Sequence, residues 1–536
     1  MRFLSSIAAV VLMAWARTSA AADDDDHADA GNLEPRPADA REAAPEAAPA
    51  SEEPATNTPP PPSLQGDDPL LAPSVPEPPA AARVPVERDS DPAGDVNHDL
   101  APSVAFQQVR YLEDYSRLAS ADLRAPLDVI KYIPLWPGGY LSLGGQHRLR
   151  YEYMAPSELG KSVSESMDSV LFSRNLLHTD FHFTPYLRLF AQAGAYYAFG
   201  SPAEDAPPGA DVFDVAQLFL ETRFQVAGVN VTTRLGRQEM GLGSTRWVSI
   251  RDGTNVRQAF DIGRVVLTGR NWNSHTFFGV VPKLQRGALD DEPNTKNLFW
   301  GSYWTLNALP RKALSFDVFY LGRSRPAVYR ELSGREVRHT MGVRVFGELD
   351  TGLEYIAHGL IQVGKLGDAD VLAWGTAGAL RQRLPGFLHP VRIGVRGDAL
   401  SGDAKAGDGK VGTFDPLFPN QTFFSALSLI SPANLYDVHP LVSVDLAPVV
   451  LEAGWIFYYR QQTADAVYAP GAPPLIKAAL SDARFTGSQP SLSLGYSVTR
   501  NLTFNIEYSH VFAGAAMREA GGRDIDFLGQ WTTFTY

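Results

Sequence analysis

From Tyr140 onward the chain alternates. In YLSLGGQHRLRYEY, Leu141, Leu143, Leu149, Tyr151 and Tyr153 share one parity, and Ser142, Gly144, Gln146, Arg148, Arg150 and Glu152 the other. A period of two with one apolar and one polar face is the mark of a strand between two environments. The pattern recurs in LRLFAQAGA, AQLFLETRF, VNVTTRL, RHTMGVRVF, PVRIGVRGD, PSLSLGYSV and NLTFNIEYS. Candidate strands fall at 140–153, 171–184, 186–199, 212–225, 228–237, 261–270, 272–281, 297–306, 313–322, 337–347, 351–364, 370–381, 390–398, 438–447, 449–461, 488–498, 501–511 and 526–536, eighteen in all. Their connections alternate between tight turns and long gaps, the long ones being 154–170, 200–211, 238–260, 282–296, 323–336, 399–437, 462–487 and 512–525, with a short exception at 365–369. Short turns at one end, long loops at the other and an even strand count predict an all-β fold, an antiparallel transmembrane β-barrel of about 18 strands over 140–536. A sandwich or propeller gives no reason for that alternation. The last candidate strand, DFLGQWTTFTY, places Leu528, Phe534 and Tyr536 on one parity, as expected of a closing strand whose final aromatic sits in an interfacial girdle.

The region before the strands reads differently. Apolar and aromatic residues from Val109 to Leu135 are spaced for one short helix within a periplasmic segment 105–139. Residues 23–104 are rich in Pro, Ala and acids, including Pro59 to Pro62. Such a composition cannot offset the entropy of ordering, which predicts a disordered tail, either a solvated spacer or a tether that meets the lumen. Residues 1–22 carry Arg2, an apolar run from Ile7 to Trp15 and small residues before Asp23, the plan of a signal peptide cut near Ala20 to Ala22. Residues 1–110 hold 7 basic and 19 acidic residues, leaving 40 against 41 in 111–536, so the net charge of −13 belongs to the tail. The chain has no cysteine, which excludes disulfides, thiolate metal sites and a cysteine nucleophile. No stretch supplies about 18 uncharged apolar residues, so insertion falls to strands and the expected address is the bacterial outer membrane.

Against the nearly neutral barrel, Leu235 to Val265 stands out. Arg234, Arg237, Arg246, Arg251, Arg257, Arg264 and Arg270 face only Glu239, Asp252 and Asp261, with no lysine. Rigid guanidinium forks match carboxylates better than a flexible ammonium does. The segment reads as a loop folded into the barrel mouth, with Gly241, Gly243 and Gly253 allowing the reversals of a constriction over 241–260. Parity also aims Arg148, Arg150, Arg188, Arg223, Arg234, Arg344, Arg392 and Arg396 inward. These arginines would select anions, or form ion-pair ladders with Glu152, Asp180, Glu221, Asp398 and Glu507; both roles are expected together. In the 399–437 loop, Asp403, Asp408 and Asp415 with interleaved glycines are a weak calcium candidate without the full loop pattern. No cofactor is expected. An enzyme would need a serine, a histidine and an acid together. The candidate histidines His147 and His339 are scattered on the apolar parity, no Gly-x-Ser-x-Gly turn occurs, and His178 and His182 lie about 13 Å apart along a strand, too far for one metal. No phosphate loop or nucleic-acid patch is present, so the chain is read as no enzyme and no nucleic-acid binder.

Three stretches carry a resemblance: RYLEDYSRLASADLRAPLDVIKYIPL with the following YLSLGGQHRLRYE; LGRQEMGLGSTRWVSIRDGTNVRQAFDIGRV; and GTFDPLFPNQTFFSALSLISPANLYDVHP. Through them the chain resembles the alginate-export family of outer-membrane barrels over about 105–536, with Arg237, Gln238, Arg251, Asn255, Val256, Arg257 and Phe260 matching the central motif. The resemblance implies an 18-stranded barrel with a cationic pore, gated by loops, that passes an anionic polyuronate outward. The expected function is a channel for an anionic polysaccharide, with a porin for small anionic or sugar-acid solutes as the alternative. Implied partners are outer-membrane lipid, the anionic cargo and periplasmic export or assembly proteins.

Overall fold

The computed structural model describes residues 106–119, 127–156, 168–201, 204–308, 313–471 and 473–536. The signal-peptide reading of 1–22 and the tail reading of 23–104 lie outside them. Eighteen antiparallel strands form the wall: β1 (Gly139–Ala155), β2 (Asp168–Thr184), β3 (Leu187–Phe199), β4 (Asp211–Val226), β5 (Val229–Glu239), β6 (Ala259–Thr268), β7 (Trp272–Val280), β8 (Leu298–Asn307), β9 (Ser315–Tyr329), β10 (Leu332–Glu348), β11 (Leu353–Leu366), β12 (Ala369–Leu384), β13 (Val391–Leu400), β14 (Leu435–Leu446), β15 (Val449–Arg460), β16 (Phe485–Ser497), β17 (Leu502–Ala513) and β18 (Ile525–Thr535). Each pairs with its sequence neighbour, and β18 returns to β1 in the register Gln146 to Thr535 through Ala155 to Asp526. Closure leaves no free edge, so the backbone groups are satisfied within lipid. The wall is a closed antiparallel β-barrel.

Alternation sets the two faces. Leu177, Leu218, Leu235, Phe278, Val318 and Leu372 stand exposed on the outside, while Arg148, Arg174, Arg188, Glu221 and Arg344 are buried on the lumen parity. Aromatics gather at the short-turn end, where Trp136 and Tyr186 are exposed and Trp272 stacks on Trp304 at 5.7 Å. Amphipathic rings of this kind suit the headgroup level.

Two expectations need correction. The supposed long loop 323–336 is a tight turn at Arg330 and Glu331, because β9 and β10 continue past the expected ends and stay paired from Ser315–Phe346 to Tyr329–Leu332. Arg323, Arg325 and Glu336 within it face inward and are ion-paired, which in sequence looked like loop polarity. The expected helix over Val109 to Leu135 is instead, among the described residues, three 3-10 turns, Arg110–Leu112, Ser116–Ala119 and Asp128–Ile130, and a short strand Ile133–Trp136 on β1. Adjacent side chains there serve different walls. Tyr111 packs edge-on against Phe190 and Phe219 at 6.0 and 5.1 Å, while Arg110 donates to the Gly145 carbonyl at 2.9 Å and the Tyr536 carbonyl at 3.0 Å, one on each side of the β1–β18 seam. Pro134 adds to this by disfavouring helix at Ile133 before it.

Candidate functional site

The loop 240–258 enters the barrel. A tight turn, closed by the Thr254 amide donating to the Arg251 carbonyl at 3.0 Å, presents Asp252 at its tip; Arg251 takes φ +52°, uncommon for a residue with a Cβ. Asp252 accepts from Arg174 at 2.6 Å, Arg148 at 3.3 Å and Arg257. Arg174 also donates to the Asn255 carbonyl at 2.8 Å. The Asn255 amide in turn reaches the carbonyls of Ser173, Tyr197 and Gly209 at 3.2, 3.2 and 2.8 Å. Gln238, Asn255, Val256 and Phe260 are all buried, so most of the central motif is a seat for this loop.

The other end of the loop grips the opposite wall. Arg246 pairs with Asp398 of β13, and the Trp247 indole donates to His358 of β11 at 3.3 Å. Between these grips Val248 meets Phe418 of the 401–434 loop, with Ser249 N to Phe418 O at 2.9 Å and Phe418 N to Trp247 O at 3.0 Å. The second loop is held by Gln362 of β11 donating to the Asp415 carbonyl at 2.7 Å and Arg338 of β10 to the Thr413 carbonyl at 2.9 Å. In a ring of eighteen, β2 and β11 are nine strands apart, which is diametrically opposite. The two loops together therefore brace the full bore. Apolar packing reinforces them: Met240, Leu242, Trp247 and Val248 join Phe260, Phe277, Phe299, Phe319, Phe414 and Phe418 in one buried cluster. The lumen along β6 to β9 is thus partly aromatic, contrary to a uniformly polar interior, because the loop brings its own apolar side.

Arginines occur in groups sharing carboxylates. Toward the short-turn end Glu221, fully buried, accepts from Arg188 at 2.9 Å, Arg223 at 2.6 Å and Arg234, and Arg188 also reaches Asp180 at 3.0 Å. The Arg234 guanidinium lies 4.4 Å over the Tyr111 ring, and Arg264 reaches His275 at 2.6 Å and the Tyr111 hydroxyl at 3.3 Å. Beyond the brace, Asp415 faces Arg325 at 3.1 Å and Arg323 at 3.7 Å, and Glu336 faces Arg325 at 3.0 Å and Arg338 at 2.8 Å. Burial alone would raise the Asp415 carboxyl, but Arg325, Arg323 and Arg338 hold it below its usual range. Burial pulls Arg251 down to about 10, against the attraction of Asp415; its Nη2 donates to the Leu417 carbonyl at 3.4 Å while its Nε is buried without an acceptor.

The remaining expected residues also have partners. Arg150 meets Glu152 at 3.0 Å, Arg344 meets Asp317 at 2.5 Å, Arg392 lies 3.8 Å from Glu354, and Arg396 lies 3.7 Å from Glu452. Arg257 adds Glu239 at 3.6 Å and the Gln108 carbonyl at 3.0 Å. Arg237 is a correction. It shares parity with exposed Leu235, sits across from Leu218 and Asp261, and bonds Asp261 at 2.8 Å, so it belongs to the outer row at the rim and not to the pore. Of the expected ladder acids, Glu152, Asp180, Glu221 and Asp398 meet arginines as above, while Glu507 accepts from the Ala426 amide at 3.0 Å. The calcium candidates do not converge: Asp403 lies 3.5 Å from Arg330, and Asp408 accepts the Lys410 amide at 3.0 Å. Sequence reading missed Arg174, Arg323, Arg325 and Arg338. Arg174 shares parity with His178 and Asp180, the signal that would have found it.

A family model described as alginate export matches residues 139–530. A search of curated proteins returned no match. Among solved structures the chain is similar to OccAB1 of Acinetobacter baumannii (13% identity, 74% of this chain and 96% of that one, TM-score 0.48). It is also similar to OpdO of Pseudomonas aeruginosa (12%, 74% and 97%, 0.48) and to OpdK of the same organism, solved with vanillate (11%, 74% and 98%, 0.46).

Proposed function

Because the chain belongs to the alginate-export family of outer-membrane barrels, we propose that it is a loop-gated conduit for an anionic polysaccharide of polyuronate type, with Arg148, Arg174, Arg251, Arg257, Arg323 and Arg325 along its path. The protein is an outer-membrane channel; the cargo and the role of each arginine are our reading. The observation that carries it is the sharing ratio. Asp252 and Glu221 each serve three guanidiniums. Pairing of that kind fixes arginines in place without neutralising them, and leaves a positive field in a space walled by low-dielectric protein. A uronate carboxylate entering there exchanges water for preset forks. The alternative cargo, a small anionic or sugar-acid solute, needs only one such stop, whereas guanidinium groups from the Tyr111 level to Asp415 provide successive ones. We read the chain as a transporter and not an enzyme, on the strength of its family.

In this conformation the brace lies across the path, so transport requires the loops to move. Planar-bilayer recording with the refolded barrel tests the proposal. Anion selectivity that falls in Arg251→Gln and Arg257→Gln, with block by polyuronate at concentrations where uronic acid monomers have no effect, is the expected result. Monomer passage without polymer block selects the small-solute reading, and a cation-selective pore overturns both.

A further inference from the structure

The outer rim holds carboxylates that the conduit does not use. Asp211 and Asp214 open β4, Asp291 sits in the 281–297 loop, and one oxygen from each lies within 4.8 Å of the other two. Asp211 is only 1% exposed, its Oδ1 has no hydrogen-bond partner, and it has no ion pair among the described residues. Asp290, alongside, also has a buried Oδ1 without a partner. The counter-charge present is Arg237, which reaches Asp291 at 3.4 Å and Asp214 at 3.8 Å while bonded to Asp261. One shared guanidinium does not satisfy this set, and a buried carboxylate without hydrogen bond or partner carries a cost that folded proteins avoid.

The backbone builds the arrangement. Val212 N donates to Arg286 O at 3.0 Å, Leu289 N to Phe213 O at 2.9 Å, and Asp291 N to Asp214 Oδ2 at 3.0 Å, so the loop is stitched to the strand beside the acids. Gln285 N and Val215 N occupy one oxygen each of Asp291 and Asp214 at 2.8 and 2.6 Å. Asp291 Oδ2 takes only the long bond from Arg237 at 3.4 Å, and Asp211 Oδ1 takes none, close to the carboxylates of Asp214 and Asp291.

We propose that Asp211, Asp214 and Asp291 form a divalent-cation site, selective for Ca²⁺, that ties the 281–297 loop to the head of β4. An all-oxygen set without histidine or cysteine suits hard cations over zinc or copper. Donors drawn from a strand end and an irregular loop suit the variable coordination of Ca²⁺ better than the strict octahedron of Mg²⁺. The site does not depend on what the channel carries.

The test uses the full chain refolded in detergent free of lipopolysaccharide and stripped with chelator, titrated with CaCl₂ by calorimetry and followed by thermal unfolding. One Ca²⁺ per chain is expected, with Kd between about 10⁻⁴ and 10⁻³ M as in extracellular calcium modules, and a rise in melting temperature over the same range. Mg²⁺ binds more weakly. Asp211→Asn and Asp291→Asn each weaken binding at least tenfold, while Asp408→Asn in the other acidic loop leaves it unchanged. No saturable binding to the wild type, or wild-type affinity in a folded Asp211→Asn or Asp291→Asn chain, overturns the site. Should one variant not yield the heat-modifiable folded band, the other decides.

Discussion

Asp252→Asn removes the charge that three guanidiniums share. The Asp252 side chain is 14% exposed, and those of Arg148, Arg174 and Arg257 are exposed by 3% or less. Removing one partner from a buried ion pair costs about 3–5 kcal/mol. The lower end applies, because Arg148 keeps the Thr254 carbonyl at 3.1 Å and Arg174 the carbonyls of Asp252 and Asn255 at 2.7 and 2.8 Å. The barrel wall does not depend on Asp252, so the cost falls on docking of the loop tip. About 3 kcal/mol shifts the docked-to-undocked ratio by roughly a hundredfold. The site also loses a negative charge, so the field becomes more positive. In planar bilayers the variant is expected to show larger, noisier conductance and a reversal potential displaced toward anion selectivity, with unchanged heat modifiability. A folded variant with wild-type conductance and reversal potential, or one displaced toward cations, refutes the claim that Asp252 clamps the loop across the path.

Leu177→Arg places a charge on the lipid face in the middle of β2, where Leu177 is 58% exposed; a loss of about 2–4 kcal/mol is expected, read as a lower urea midpoint in refolding, and an unchanged midpoint contradicts the parity. Gly243→Ala, at φ +59°, puts a Cβ 1.9 Å from the Tyr303 hydroxyl. Loss of about 1–3 kcal/mol from the loop seat is expected as noisier current and a lower melting temperature, and a silent substitution argues against the seat. Burial, then repulsion from Arg110, pulls Lys131 from 10.5 down to about 7. The released segment binds the proton more readily than the docked one, so the penalty on docking is full below pH 7 and fades as pH rises toward 10.5. Lys131→Met should therefore melt higher than wild type at pH 7, and the gap should close toward pH 10; a gap independent of pH excludes this cause.

Strand number and order were legible because side-chain parity is a local property: Leu141 through Tyr153 declare their face without help from the rest of the chain. Inward arginines such as Arg148, Arg188 and Arg344 followed from the same rule. It failed where polarity had a tertiary reason. Arg323 and Arg325 looked like loop residues because one partner, Asp415, comes from a distant segment and the other, Glu336, faces Arg325 only once β9 and β10 pair. Arg237 looked like a pore residue because a run of arginines says nothing about phase at a strand end. Gly241, Gly243 and Gly253 pointed to a loop turned into the mouth, but its far anchor on Asp398 and His358 is a contact over more than a hundred residues, which no window of sequence displays.

Arg110 binds carbonyls on both lips of the seam, and Gly145 and Tyr536 are themselves joined by reciprocal backbone bonds of 2.8 and 3.0 Å. The two acceptors come within reach of one guanidinium only when the last strand has met the first. The segment that precedes the wall in sequence is therefore the last to settle in assembly. Its docking works as a completion signal: a half-zipped intermediate leaves Arg110 without its Tyr536 acceptor and open to whatever machinery inserts the chain, and a finished barrel withdraws it.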